Sequence, residues 1–135
     1  MVTTYFKNLV ADVVWHTSAG ASLPSSYYLA VSSGEPMSDG TGVVEPDASS
    51  GYARVEMTGM NPAVGGATKN STSISWPKVT VNAGEISYWA MFDAQAGGNL
   101  LMGGALNGLK HLDAGTTFTI DKDGLELKLV EVTGV

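Results

Sequence analysis

Apolar residues recur at two different spacings along this chain. Near the start, Phe6, Leu9, Val10, Val13 and Val14 fall at i, i+3, i+4, i+7 and i+8, the stripe of an amphipathic helix over about residues 4–15. Thr3 or Thr4 is available as its N-cap. The stripe predicts packing against a sheet, with an interface to a neighbouring subunit as the sharper reading. Beyond the helix the period changes to two. Ile86, Tyr88, Ala90 and Phe92 alternate with Trp89 and Met91, so in an extended strand both faces are mostly apolar, as expected of the most buried strand of a domain. Asp93 ends this run, Ala94 to Gly98 supplies a Gly-Gly pair suited to a bulged hairpin loop, and a second apolar run follows from Asn99 to Leu106.

Shorter alternations surround that hairpin. Strands are predicted over 27–32, 52–57, 74–76, 116–120 and 125–129, with 78–81 continuing the third past Pro77. In 52–57 the wet face is assigned to Tyr52, Arg54 and Glu56. Asp121-Lys122-Asp123-Gly124 reads as the tight turn of a hairpin joining the last two strands. Residues 58–71 and 107–115 read as connections. Residues 34–51, dense in Gly, Pro, Asp and Ser, exceed the usual connection length and are the first place to seek a partner. The sum is one domain over residues 1–135, mainly β: an antiparallel, jelly-roll-like sandwich of seven or eight strands over about 27–132, preceded by one helix.

Composition narrows the function. With 17 Gly, 5 Pro and only 15% charged residues, the chain suits a turn-rich β protein rather than a helical bundle. It has no cysteine, which excludes disulfides and thiolate chemistry. A net charge of −6 with seven scattered Lys or Arg offers no basic patch, so nucleic acid is not an expected partner. No apolar run approaches the roughly 18 residues of a membrane span, and no secretion signal is expected.

No motif announces catalysis, and neither a catalytic residue, a metal site nor a cofactor is expected. His16 and His111 have no partner nearby in sequence and stand in no hydrolase elbow or metalloprotease helix. Asp121-x-Asp123-Gly124 begins like a calcium loop, but Val132 occupies the position where the closing Glu belongs. The oxygen-rich stretch Asp39, Gly40, Thr41 and Gly42, with Glu45 and Asp47, is the candidate partner-contact loop, and calcium there is a lesser alternative to a solvated loop or protein contact. Sugar binding would call on exposed aromatics. Trp89 is expected in the core, and the face of Trp76 is left open.

At the hairpin, the segment Gly84 to Ala94, followed by Gly97-Gly98-Asn99-Leu100-Leu101 and Gly104-Ala105-Leu106, resembles the signature of small tail-fibre-like structural proteins of tailed bacteriophages. Tyr28 to Ser33, Asp39 to Gly42 with Glu45-Pro46, Gly51 to Arg54, Ile74 to Pro77, Ala114 to Thr116 and Gly124-Leu125 match as well, so the resemblance covers most of the chain. Met91, where a branched aliphatic is more usual, and the extension 130–135 depart from it. The resemblance marks Trp89, Phe92, Asp93, Gly97 and Gly98 as structural motif residues. It implies a non-enzymatic virion component at the tail, tail tip or fibre, forming a homo-oligomer, most simply a trimer, with other virion proteins as partners. Capsid decoration on the head and a module binding host-surface glycan are the alternative expectations.

Overall fold

The computed structural model describes residues 1–128 and is mainly β, with eight strands in antiparallel sheets and one N-terminal helix. Helix α1 spans Thr4–Trp15. Thr3 is its cap, its hydroxyl oxygen accepting from the Phe6 N–H while donating to the carbonyls of Leu100 and Leu101. The strands are β1 (Tyr28–Ser32), β2 (Val55–Glu56), β3 (Ala67–Lys69), β4 (Ile74–Ser75), β5 (Glu85–Phe92), β6 (Leu100–His111), β7 (Thr119–Ile120) and β8 (Glu126–Lys128). They form a four-stranded sheet in the order β2-β1-β5-β6 and two ribbons, β3-β8 and β4-β7.

The main core lies between these parts. Leu29, Val31, Met91 and Leu101 from the sheet, with Leu112 just past the end of β6, meet Trp76, Val79 and Leu125 from the ribbons and their flanks, and Phe6 closes the cluster from the helix. The indole of Trp76 donates to the Leu29 carbonyl at 3.1 Å, tying the layers together. This layered packing fits a β-sandwich. A smaller cluster of Ala30, Ala90, Phe92 and Leu100 covers the other face of the sheet, with Val43 packed on it.

Several sequence expectations change here. Ile86 does not share the face of Phe92 but joins Met91 in the main core, because the pairing of β5 with β6 shifts register between Ile86, opposite Lys110, and Tyr88, opposite Ala105. A second irregularity inserts Leu101 between the partners of Phe92 and Met91, so Leu101 and Met102 both reach the main core. Strand β6 runs on to His111 through residues read as a connector, β3 arises in a stretch read as loose, and 78–81 forms no strand. At the end of the helix stripe, Val14 is 54% exposed rather than packed.

The turn at Asp121–Gly124 forms, but it is not a hairpin between its flanking strands: β7 pairs with β4 and β8 with β3. The buried Asn70 explains why. Its side-chain amide donates to the carbonyls of Thr72 and Asp121, both at 2.8 Å, and its side-chain oxygen accepts from the Leu125 N–H at 2.9 Å. Its backbone carbonyl accepts from the Asp123 N–H. The turn is thus wrapped around a residue far away in sequence. Leu129, the last residue of the predicted final strand, and the extension 130–135 lie outside the described residues.

Candidate functional site

The most concentrated polar chemistry sits where the long loop after β1 meets the β5-β6 hairpin. Arg54 is 9% exposed, although alternation placed it on a wet face with Tyr52, which is buried as well. It is tolerated because four of its five N–H groups find partners. Its Nε donates to Glu45 Oε1 at 3.0 Å and its Nη2 to Oε2 at 2.8 Å, a bidentate pair, while Nη1 donates to the carbonyls of Ala94 and Gly97 at 2.8 and 2.7 Å. The guanidinium lies over the Phe92 ring, 3.6 Å from its centroid.

Neighbouring groups complete the lock. The Tyr52 hydroxyl donates to Glu45 at 2.7 Å and accepts from the Val31 N–H, and Gln95 donates to the Arg54 carbonyl. Burial works to raise the Glu45 carboxyl, but hydrogen bonds from Arg54 and Tyr52 and the Arg54 charge outweigh it and hold the group below the usual carboxylate range. Burial, together with the Glu45 carboxylate, pushes the Tyr52 hydroxyl far above its ordinary value.

The motif residues of the hairpin fall on the same feature. Asp93 accepts from the Asn99 backbone N–H at 2.7 Å and from its side-chain amide at 2.9 Å, closing the loop whose carbonyls Arg54 holds. Gly97 and Gly98 both have positive φ. A Cβ at Gly98 would overlap Asp93 Oδ1, so this position needs glycine for space as well as for conformation. Trp89 is half-buried, its indole against Gly104.

The candidate partner-contact loop divides into two parts. Asp39, Gly40, Thr41 and Gly42 form an exposed tip, where Asp39 Oδ1 accepts from the Thr41 N–H at 3.0 Å and its hydroxyl at 2.6 Å. Those bonds hold the Asp39 carboxyl below its ordinary value. A Cβ at Gly42 would overlap the Glu35 carbonyl, so the two arms of the tip cross in close contact. Glu45, by contrast, turns inward to Arg54. Asp47 caps the single turn Ala48–Ser50, its carboxylate accepting from the Ser49 N–H at 2.9 Å, which lowers its pKa. The base of the loop is held by Ser32, fully buried, whose hydroxyl donates to the Gly34 carbonyl and accepts from the N–H groups of Gly34 and Val44.

Sequence reasoning missed Ser32, Tyr52, Arg54 and Asn70 as organising residues. Ser32, Tyr52 and Arg54 carried a signal only as members of the matching fragments Tyr28 to Ser33 and Gly51 to Arg54, and Asn70 carried none. His16 lies 3.7 Å from Asp12 and His111 3.3 Å from Glu85, with both side chains more than half exposed. Among the described residues no three His, Asp or Glu side chains are grouped to hold a metal ion. A cleft of about 480 Å³ is lined by Trp89 and Phe118 together with Asn107, Lys110, Asp121 and Glu126.

Compared with known families, residues 1–128 match the family described as podophage GP4 fiber I protein gp80. No curated protein matches the chain.

Proposed function

The chain belongs to the podophage GP4 fiber I protein gp80 family, and on that premise we propose that it is a non-enzymatic structural module of a tailed-phage particle, exposed at the tail, tail tip or fibre and assembled there with other virion proteins as a homotrimer. The observation that supports this reading is the use to which the carboxylates are put. Glu45, Asp47 and Asp93 fix loop geometry through Arg54, Ser49 and Asn99, and Asp39 is engaged by Thr41. Such a frame presents a stiff loop tip rather than a reacting group. Antibody labelling of intact particles tests the location. Label confined to the tail supports the proposal, whereas hundreds of copies over the head overturn it in favour of capsid decoration. Prolonged incubation with host-surface polysaccharide should leave the polymer intact, and depolymerisation would refute the non-enzymatic reading.

A second reading, attachment to host glycan, draws on the cleft lined by Trp89 and Phe118, whose aromatic and polar lining residues suit the apolar face and hydroxyls of a sugar ring. A glycan array probed with the purified chain separates the two readings. Binding that is lost on Phe118→Ala supports this role, and silence across a broad panel removes it.

A further inference from the structure

The side of α1 turned away from the core carries a repeat of its own. Phe6, Leu9 and Val10 bind the helix to the main core. Thr4, Asn8, Ala11 and Trp15, at successive spacings of four, three and four, therefore line the opposite side. Trp15 is 81% exposed, most of a large aromatic standing in water. Written as heptads, Asn8 and Trp15 occupy a positions and Thr4 and Ala11 occupy d positions. Lys7 then falls at g and Asp12 at e of the following heptad, five residues on. In a parallel helix pair this is the spacing at which a g residue meets an e residue of the facing helix.

We infer that α1 is the seam through which copies of this chain associate, their helices parallel about the oligomer axis and Lys7 of one copy paired with Asp12 of a second copy. The inference rests on the proposed self-association and names the surface that carries it.

Charge complementarity singles out a second copy as the occupant. The molecule carries a net charge of −6, so most approaches between copies are repulsive, yet the only charges on α1 are Lys7 and Asp12, which cancel. Asp12 is 3.7 Å from His16 through one carboxylate oxygen and its side chain is half exposed, leaving the other oxygen for Lys7 of a second copy. Asn8 at a suits the same partner, since a polar a residue fixes register by meeting its own counterpart. Twelve residues, less than two heptads, are too few to nucleate helices from disordered chains, but here the helix is already folded on the core and capped by Thr3. Ala11 at d permits close approach, and Trp15 supplies the apolar area.

Sedimentation equilibrium on the full chain tests this. The unaltered protein should self-associate, Trp15→Glu should weaken association roughly thirtyfold or more, and far-UV circular dichroism should remain unchanged. Lys7→Asp and Asp12→Lys should each weaken it by about two- to fivefold, with recovery in the double variant. Because the chain has no cysteine, Asn8→Cys gives a single thiol, and oxidation should link copies through it if the helices are parallel. An oligomer unaffected by Trp15→Glu and not cross-linked through position 8 overturns the seam while leaving self-association intact. A monomeric unaltered protein overturns both.

Discussion

Arg54 and Phe92 show how one buried charge can organise a hairpin. The Arg54 side chain is 7% exposed and that of its partner Glu45 24%, so removing the cation leaves a largely enclosed carboxylate and two unpaired carbonyls. Arg54→Met should cost about 2–4 kcal/mol in urea denaturation, below the figure for a wholly buried pair because Glu45 keeps some contact with water. The pair also sets an acid limit. Glu45 is held below its ordinary pKa in the folded protein, so its contribution is fully present above the unfolded value of about 4.3 and is lost as pH falls through the folded value. In Arg54→Met, burial is opposed only by the Tyr52 hydroxyl, and the fall in stability below about pH 4.3 should become shallower. An unchanged acid slope would show that Glu45 is not the group responsible. Phe92 lies beneath Arg54 and is itself 8% exposed, so Phe92→Ala should cost of order 3–5 kcal/mol. A loss under about 1 kcal/mol would mean the second cluster adds little.

Strand and turn elements differ in how much of them is local, and that decides what could be read beforehand. Helix α1 follows from a stripe and a cap within one stretch of chain, and its observed bounds match the predicted ones. The β5-β6 hairpin follows from two apolar runs and a Gly-Gly loop, and here the two glycines can be told apart by experiment. Both have positive φ, but the space around Gly97 is open whereas a Cβ at Gly98 collides with Asp93 and Ala94. Gly97→Ala should cost about 1–2 kcal/mol, the ordinary penalty for a left-handed residue, and Gly98→Ala at least twice that. Equal losses in thermal denaturation would show that the Asp93–Asn99 closure does not confine the loop. Where an element depends on distant residues, the sequence pattern was silent or misleading. Ala67-Thr68-Lys69 has no apolar alternation and becomes β3 through its pairing with the distant β8, backed by bridges to residues 60–64 on its other side. Asp123-Gly124 turns the chain as expected, yet Asn70, fixed inside that turn, sends β7 and β8 to different partners. In the partner loop, the exposed tip at Asp39–Gly42 was legible from its turn residues. The inward course of Glu45 was not, since it depends on an arginine nine residues later and on a hairpin loop some forty residues beyond that arginine.

At the scale of the molecule, the short ribbons have little to hold them except the shared core. Strands β3, β4, β7 and β8 are two or three residues long, and a lone two-stranded ribbon is marginal in water. Their stability comes from Trp76, Val79 and Leu125 packing with Leu29, Val31 and Met91 of the sheet and with Phe6 of the helix. One cluster therefore draws on the helix, the sheet and both ribbon regions, so loss of any layer exposes the others. Unfolding should be a single cooperative transition. Tryptophan fluorescence, weighted towards the ribbon flank by the buried Trp76 and towards the sheet by the half-buried Trp89, should fall with the same midpoint as the far-UV circular dichroism of the backbone. Trp15→Phe removes the exposed indole from the fluorescence signal and should leave that midpoint unchanged when the chain is held below its association concentration. If the fluorescence midpoint instead falls clearly before the backbone signal, the ribbons melt from a surviving four-stranded sheet. The layers would then be two separable units, and the Trp76 bond to Leu29 would be too weak to couple them.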